Sequence, residues 1–119
     1  MEIQCDYKAA ERTLFNTISL ANEVEDNQVI TNCYNNICSL CIKEGKINEA
    51  YIFGKKGLEF AGKMQNDNFT PKFTIYIKLV EILLLMNEVE EASIILESLA
   101  KGQKVEYTIK QKIQLNIIV

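Results

Sequence analysis

Apolar residues return every three or four positions through most of this chain, and short polar breaks interrupt the pattern. Ala9, Ala10, Leu14, Ile18 and Ala21 fall near a period of about 3.6 and predict a first helix over about Asp6 to Val24. The polar run Glu25-Asp26-Asn27-Gln28 breaks it. Ile30, Cys33, Tyr34, Ile37, Cys38, Leu40 and Cys41 predict a second helix, Val29 to Lys43. Gly45 stops that helix, because glycine takes the left-handed conformation that helix ends use. The third predicted helix is Ile47 to Met64, followed by the break Gln65-Asn66-Asp67-Asn68-Phe69. Thr70-Pro71 reads as an N-cap followed by proline in the first helical position and opens a fourth helix to Met86. Asn87 stands at a turn and tolerates the same left-handed geometry as Gly45. The fifth helix is Val89 to Lys101, ended by Gly102. Val105, Ile109, Ile113 and Ile117 form one stripe and predict a sixth over about 104–118.

The pattern also repeats. Gly45-Lys46-Ile47-Asn48-Glu49-Ala50 is echoed by Asn87-Glu88-Val89-Glu90-Glu91-Ala92, a shift of 42 residues that also carries Tyr34 onto Tyr76 and Ile37 onto Leu79. Ala10 and Ala21 map onto Ala50 and Ala61 with a shift of 40. Self-similarity at such a period marks arrays of helical pairs. Short turns force neighbouring helices antiparallel, so two hairpins are expected, 29–64 and 70–101. The expected fold is all-α: an antiparallel helix-hairpin solenoid of five or six helices in one domain over 1–119, part of a longer array.

These residues resemble the tetratricopeptide repeat (TPR). Its pattern wants an aromatic, an aliphatic and a small residue, then a large residue, a glycine turn and an early alanine in the second helix. Tyr34, Ile37, Cys38, Cys41, Gly45 and Ala50 supply these in order, and Tyr76, Leu79, Val80, Leu83, Asn87 and Ala92 do so again. Val80 departs from the small residue, Asn87 from the glycine, and Gly54 and Gly57 stand where an aromatic and an alanine are usual. The spacing exceeds the roughly 34 residues of the common repeat. In that respect the chain is similar to the long-helix repeats of kinesin light chains and of the peptide-sensing domains of Rap/PlcR-type quorum-sensing regulators. Its abundance of Lys, Asn and Ile suits the second group. The resemblance implies a non-catalytic peptide- or protein-binding module, most readily the sensing part of a bacterial transcriptional regulator. The alternatives it leaves open are a scaffold or co-chaperone adaptor and a homodimerisation module.

Composition narrows the classes further. The 119 residues are 48% hydrophobic with one proline, which fits a folded domain rather than a disordered one. A net charge of -3, with signs interspersed, disfavours direct nucleic-acid contact. Histidine is absent, which removes the commonest general base and a common metal ligand, so no enzyme, cofactor or metal is expected. The N-terminus lacks a basic region followed by an apolar one, and Ile82-Leu83-Leu84-Leu85-Met86 is far too short to span a bilayer. A cytoplasmic protein with four reduced cysteines and no membrane contact is expected.

Candidate chemistry then concentrates on two helices. On the second, Asn32, Asn35, Asn36 and Ser39 recur at three- and four-residue spacings, with Lys43 beyond them. Asparagine amides donate and accept at once, which suits the main chain of an extended peptide. Solvation of an asparagine-rich surface is the equally weighted alternative. On the fourth helix the matching face carries Thr74, Lys78 and Glu81, with Ile77 as an apolar contact. The resemblance implies that these two helices line the concave, ligand-binding face. In co-chaperones that grip C-terminal carboxylates, an asparagine and a basic residue match Asn36 and Lys78, but Thr74 stands where a lysine is expected, so a complete clamp is not expected. Cys38 and Cys41 form a C-x-x-C with Cys33 nearby, and they read as packing positions. Glu88, Glu90, Glu91 and Glu97 read as dipole-favouring acids at a helix start. Lys43, Lys46, Lys55, Lys56 and Lys63 are expected on different faces. Gly54 and Gly57 are expected to admit close helix approach, and Tyr51 and Phe69 to be core or ligand anchors. Ile113, Ile117 and Val119 are candidate homodimer contacts.

Overall fold

The computed structural model describes residues 6–64 and 69–101. Among them the chain forms α1 (Tyr7–Glu23), α2 (Asn27–Lys43), α3 (Ile47–Gly62), α4 (Phe69–Leu85) and α5 (Val89–Lys101). The fold is all-α, with helices packed in sequence and neighbours antiparallel. The sixth helix and the candidate dimer contacts Ile113, Ile117 and Val119 lie outside the described residues, as does Cys5.

One turn recurs three times. Glu25, Gly45 and Asn87 have φ of 56°, 78° and 63°. In each case the next residue donates back across the helix end: Asp26 to the Ala21 carbonyl at 2.9 Å, Lys46 to Cys41 at 2.8 Å, and Glu88 to Leu83 at 2.8 Å. This is the Schellman closure, which satisfies carbonyls that the helix leaves without partners. The turns at Gly45 and Asn87 match expectation. The turn at Glu25 corrects it, because the expected four-residue break is a tight turn and α2 starts at Asn27 rather than Val29. Asp26 caps α2 by accepting from the Val29 N–H at 3.2 Å, as Asp6 caps α1 by accepting from Ala9 at 3.1 Å. A second correction is that α3 stops at Gly62 instead of Met64. A third is that α4 starts at Phe69, so Thr70 is inside the helix and not its cap. Pro71 still lies in the first turn, where a missing N–H costs nothing.

The core gathers around α2, which packs against α1, α3 and α4. Ile30, Tyr34, Ile37, Cys38 and Cys41 of α2 join Ala21, Ala50 and Ile82 in one buried cluster. Each large aliphatic side chain buried there contributes roughly 1.5–3 kcal/mol. Thr31 is buried as well, and its hydroxyl is satisfied by donating to the Asn27 carbonyl at 2.7 Å. A smaller cluster, Val80, Leu83 and Ala92, joins α4 to α5. Helix α3 reaches its neighbours through glycine. A Cβ on Gly54 would lie 2.7 Å from Leu79 Cδ2, and one on Gly57 would lie 2.9 Å from both Tyr34 Cβ and Ile75 Cδ1. Close helix approach at these two positions is therefore as expected. Among the described residues, no helix is long and apolar enough to cross a membrane.

Candidate functional site

Helices α2 and α4 touch although α3 separates them in sequence. Their contact runs through the buried cluster that joins Ile37 and Cys38 of α2 to Ile82 of α4. Asn32 and Asn36 are exposed, while Asn35 and Ser39 are half-buried and Lys43 is exposed at the helix end. Thr74, Lys78 and Glu81 on α4 are all half-buried. Lys78 pairs with Glu81 one turn on, Nζ to Oε1 at 3.2 Å. The Lys78 charge also reaches Cys38 of α2, where it partly opposes the rise in thiol pKa.

Two polar groups in this region differ from a plainly solvated row. The Asn35 Oδ1 atom is buried and accepts no hydrogen bond. A buried acceptor without a donor costs about 1–3 kcal/mol. The Ser39 hydroxyl turns onto its own helix and donates to the Asn35 carbonyl at 3.3 Å. Asn32 and Asn36 thus present exposed amides, whereas the Asn35 oxygen is buried and the Ser39 hydroxyl is used within the helix.

The cysteines belong to the core. Cys33, Cys38 and Cys41 are buried free thiols. The Cys38 thiol donates to the Ala50 carbonyl at 3.3 Å. Burial pushes Cys38 up to about 12, and burial with the nearby Glu11, Glu49 and Glu44 pushes Cys41 up to about 11. Thiols held so far from ionisation are poor nucleophiles. Among the described residues, no three His, Cys, Asp or Glu side chains come together as a metal site.

Two arrangements were not foreseen. Tyr51 is half-buried, and its hydroxyl donates to Glu91 Oε1 at 3.0 Å, while Lys55 Nζ reaches the same oxygen at 3.3 Å. Tyr51 is thus a bridge from α3 to α5, and Glu91 has a partner on α3 besides its place at a helix start. The only signal was the 40-residue offset of Tyr51 from Glu91, close to the repeat spacing. The second arrangement concerns the lysines. Lys46 does not stand apart: with Lys8, Arg12, Glu11 and Phe15 it lines an open groove of about 330 Å³. Lys56 and Lys63 lie over the rings of Phe53 and Phe60, at 5.8 and 4.6 Å from their centroids. Phe53 in turn meets Phe15 at 5.5 Å. Lys46 thus belongs to the groove with α1, and Lys56 and Lys63 to the rings of α3.

No family model, curated protein or solved structure matches the chain.

Proposed function

We propose that this protein is a non-catalytic recognition module that holds an extended peptide or protein segment along the α2–α4 face. The observation that carries the reading is the row of amides on one face of α2, with Asn32 and Asn36 exposed and Asn35 half-buried between them. An extended peptide presents main-chain N–H groups and carbonyls that exposed amides can both accept from and donate to. The α2–α4 contact and the recurring tight turns support the finer architecture, a TPR-like solenoid of stacked hairpins. A face preformed by packed helices lowers the ordering cost of binding on the receptor side. The role we assign is peptide sensing for a bacterial transcriptional regulator, with the effector part outside this chain.

The test is a random peptide library displayed on phage and panned on the immobilised protein. Enriched peptides are synthesised with a fluorophore and titrated by fluorescence anisotropy. Asn35→Ala and Asn36→Ala are each expected to weaken binding by roughly five- to tenfold, the loss of about 1 kcal/mol of hydrogen bonding. Failure to enrich any peptide, or wild-type affinity in both variants, would sink the reading.

A further inference from the structure

A second surface stands apart from the asparagine face. Helices α1 and α3 meet through the rings of Phe15 and Phe53, 5.5 Å apart, and the row continues through Tyr34 to Phe60. Cations flank this row on both helices. Lys8 and Arg12 of α1 and Lys46 at the start of α3 border the groove beside Phe15. Further along α3, Lys56 and Lys63 lie over the next two phenylalanines. Among the described residues, Lys8, Arg12, Lys56 and Lys63 have no carboxylate at ion-pair distance, whereas Lys46 is held by Glu44 at 3.3 Å. Glu11 also lines the groove, Glu44 and Glu49 act on Lys46, and Glu59 acts on Tyr34, so five cations there face four acids, against a net charge of -3 for the whole chain.

We propose that the flank between α1 and α3 is a docking surface for a short acidic segment of a partner protein, with apolar side chains between its carboxylates. The apolar side chains would rest on the ring row, and the carboxylates would meet Lys8 and Arg12 on one bank and Lys56 and Lys63 on the other. Charge complementarity selects this occupant. Glu11 lines the groove, and Glu44 and Glu49 lie close enough to act on Lys46. A nucleic-acid backbone with a phosphate at every step would run across these acids. A peptide places its few carboxylates only where cations await them. Potentials arranged in this way raise association rates and fix register.

The experiment uses the whole chain and a fluorescein-labelled peptide of alternating Glu and Leu, with a Lys–Leu peptide and an oligothymidylate as competitors. The expected result is saturable anisotropy binding that weakens as salt rises. In the double variant Arg12→Glu/Lys56→Glu, affinity is expected to fall on the order of tenfold. Both side chains are exposed, so the variant should melt as the wild type does. Should it melt lower, the single variant Lys8→Glu, also at an exposed position, reads the same surface. Asn35→Ala should leave this binding unchanged, so the two faces fail independently. Absence of binding, equal or tighter binding of either competitor, or unchanged affinity in a charge-reversed variant that still folds would overturn the proposal.

Discussion

Substituting alanine at Gly57 sets two known effects against each other. Alanine in a helix interior is favoured over glycine by about 1 kcal/mol. Against that, the new Cβ would sit 2.9 Å from Tyr34 Cβ and 2.9 Å from Ile75 Cδ1. Carbon atoms rest comfortably at roughly 3.5–4.0 Å, so a gap must open on both sides. Tyr34 Cβ is fixed to the α2 main chain, and Ile75 is fully buried, so neither neighbour yields cheaply. Overpacking of this kind costs about 1–3 kcal/mol; with both neighbours rigid the upper part of that range applies, which leaves a net loss of up to about 2 kcal/mol. At Gly54 the nearest atom is the terminal Leu79 Cδ2 at 2.7 Å, with Cγ at 3.2 Å, so a side-chain adjustment absorbs more of the strain. At the exposed Gly62 nothing lies within 4 Å, and only the helix preference acts. Urea unfolding followed by far-ultraviolet circular dichroism should therefore rank Gly62→Ala above the wild type, Gly54→Ala slightly below it, and Gly57→Ala lowest. A Gly57→Ala variant as stable as the wild type would refute the close packing of α2, α3 and α4 at this point.

Glu25→Gly should raise stability by about 1 kcal/mol in the same assay, because glutamate at a φ of 56° bears a left-handed strain that glycine does not. Stability should be insensitive to thiol ionisation below pH 9.0, the ordinary cysteine value, and should fall above it. There the unfolded chain loses protons that folded Cys38 and Cys41 retain up to about 12 and 11, at about 1.4 kcal/mol per pH unit per thiol. Alkaline unfolding curves of Cys38→Ala should accordingly be shallower than those of the wild type. Tyr51→Phe should cost about 1 kcal/mol by removing the hydroxyl that donates to Glu91. Since Lys55 and Glu91 are 46% and 40% exposed, Lys55→Ala should cost less, and the two variants compared by thermal melting test that order.

The helices were legible because their apolar period is long and regular, and Gly45 and Asn87 because their residue types favour the conformation that they adopt. The turn at Glu25 was hidden because glutamate carries no such preference. What imposes that turn is the Asp26 N–H reaching the Ala21 carbonyl, together with the need to lay α1 against α2. The asparagine row could be read from spacing alone, since residues three and four apart share a helix face. Its inward side could not, because burial of the Asn35 oxygen depends on what packs beside α2. The grouping of Lys8, Arg12 and Lys46 around one groove was beyond reach for the same reason. Their juxtaposition arises only when α1 and α3 lie beside one another across α2.

Helix α3 explains why one side of it is open and the others closed. Toward α2 and α4 it presents Gly54 and Gly57, and the backbones approach until there is no room for a methyl group. Toward α5 it presents Tyr51 and Lys55, which reach Glu91 and tie the two helices by polar contacts. Toward α1 it presents Phe53, whose ring meets that of Phe15 and stands between the helices as a spacer. The partner ring, Phe15, lines the open groove where Lys8 and Arg12 lie with Lys46. The lysines over the rings follow from helical spacing: Lys56 is three residues from Phe53 and Lys63 three from Phe60, so each ammonium returns over the ring one turn earlier. Phe53 thus meets both the ring that lines the groove and the ammonium of Lys56. On this argument Phe53→Ala should weaken the acidic peptide even though every cation remains. Phe53→Leu, which keeps much of the bulk but no ring face, should weaken it less. If anisotropy titration gave both variants wild-type affinity at unchanged helicity, the rings would be core alone, and the link from α3 packing to the flank would fail.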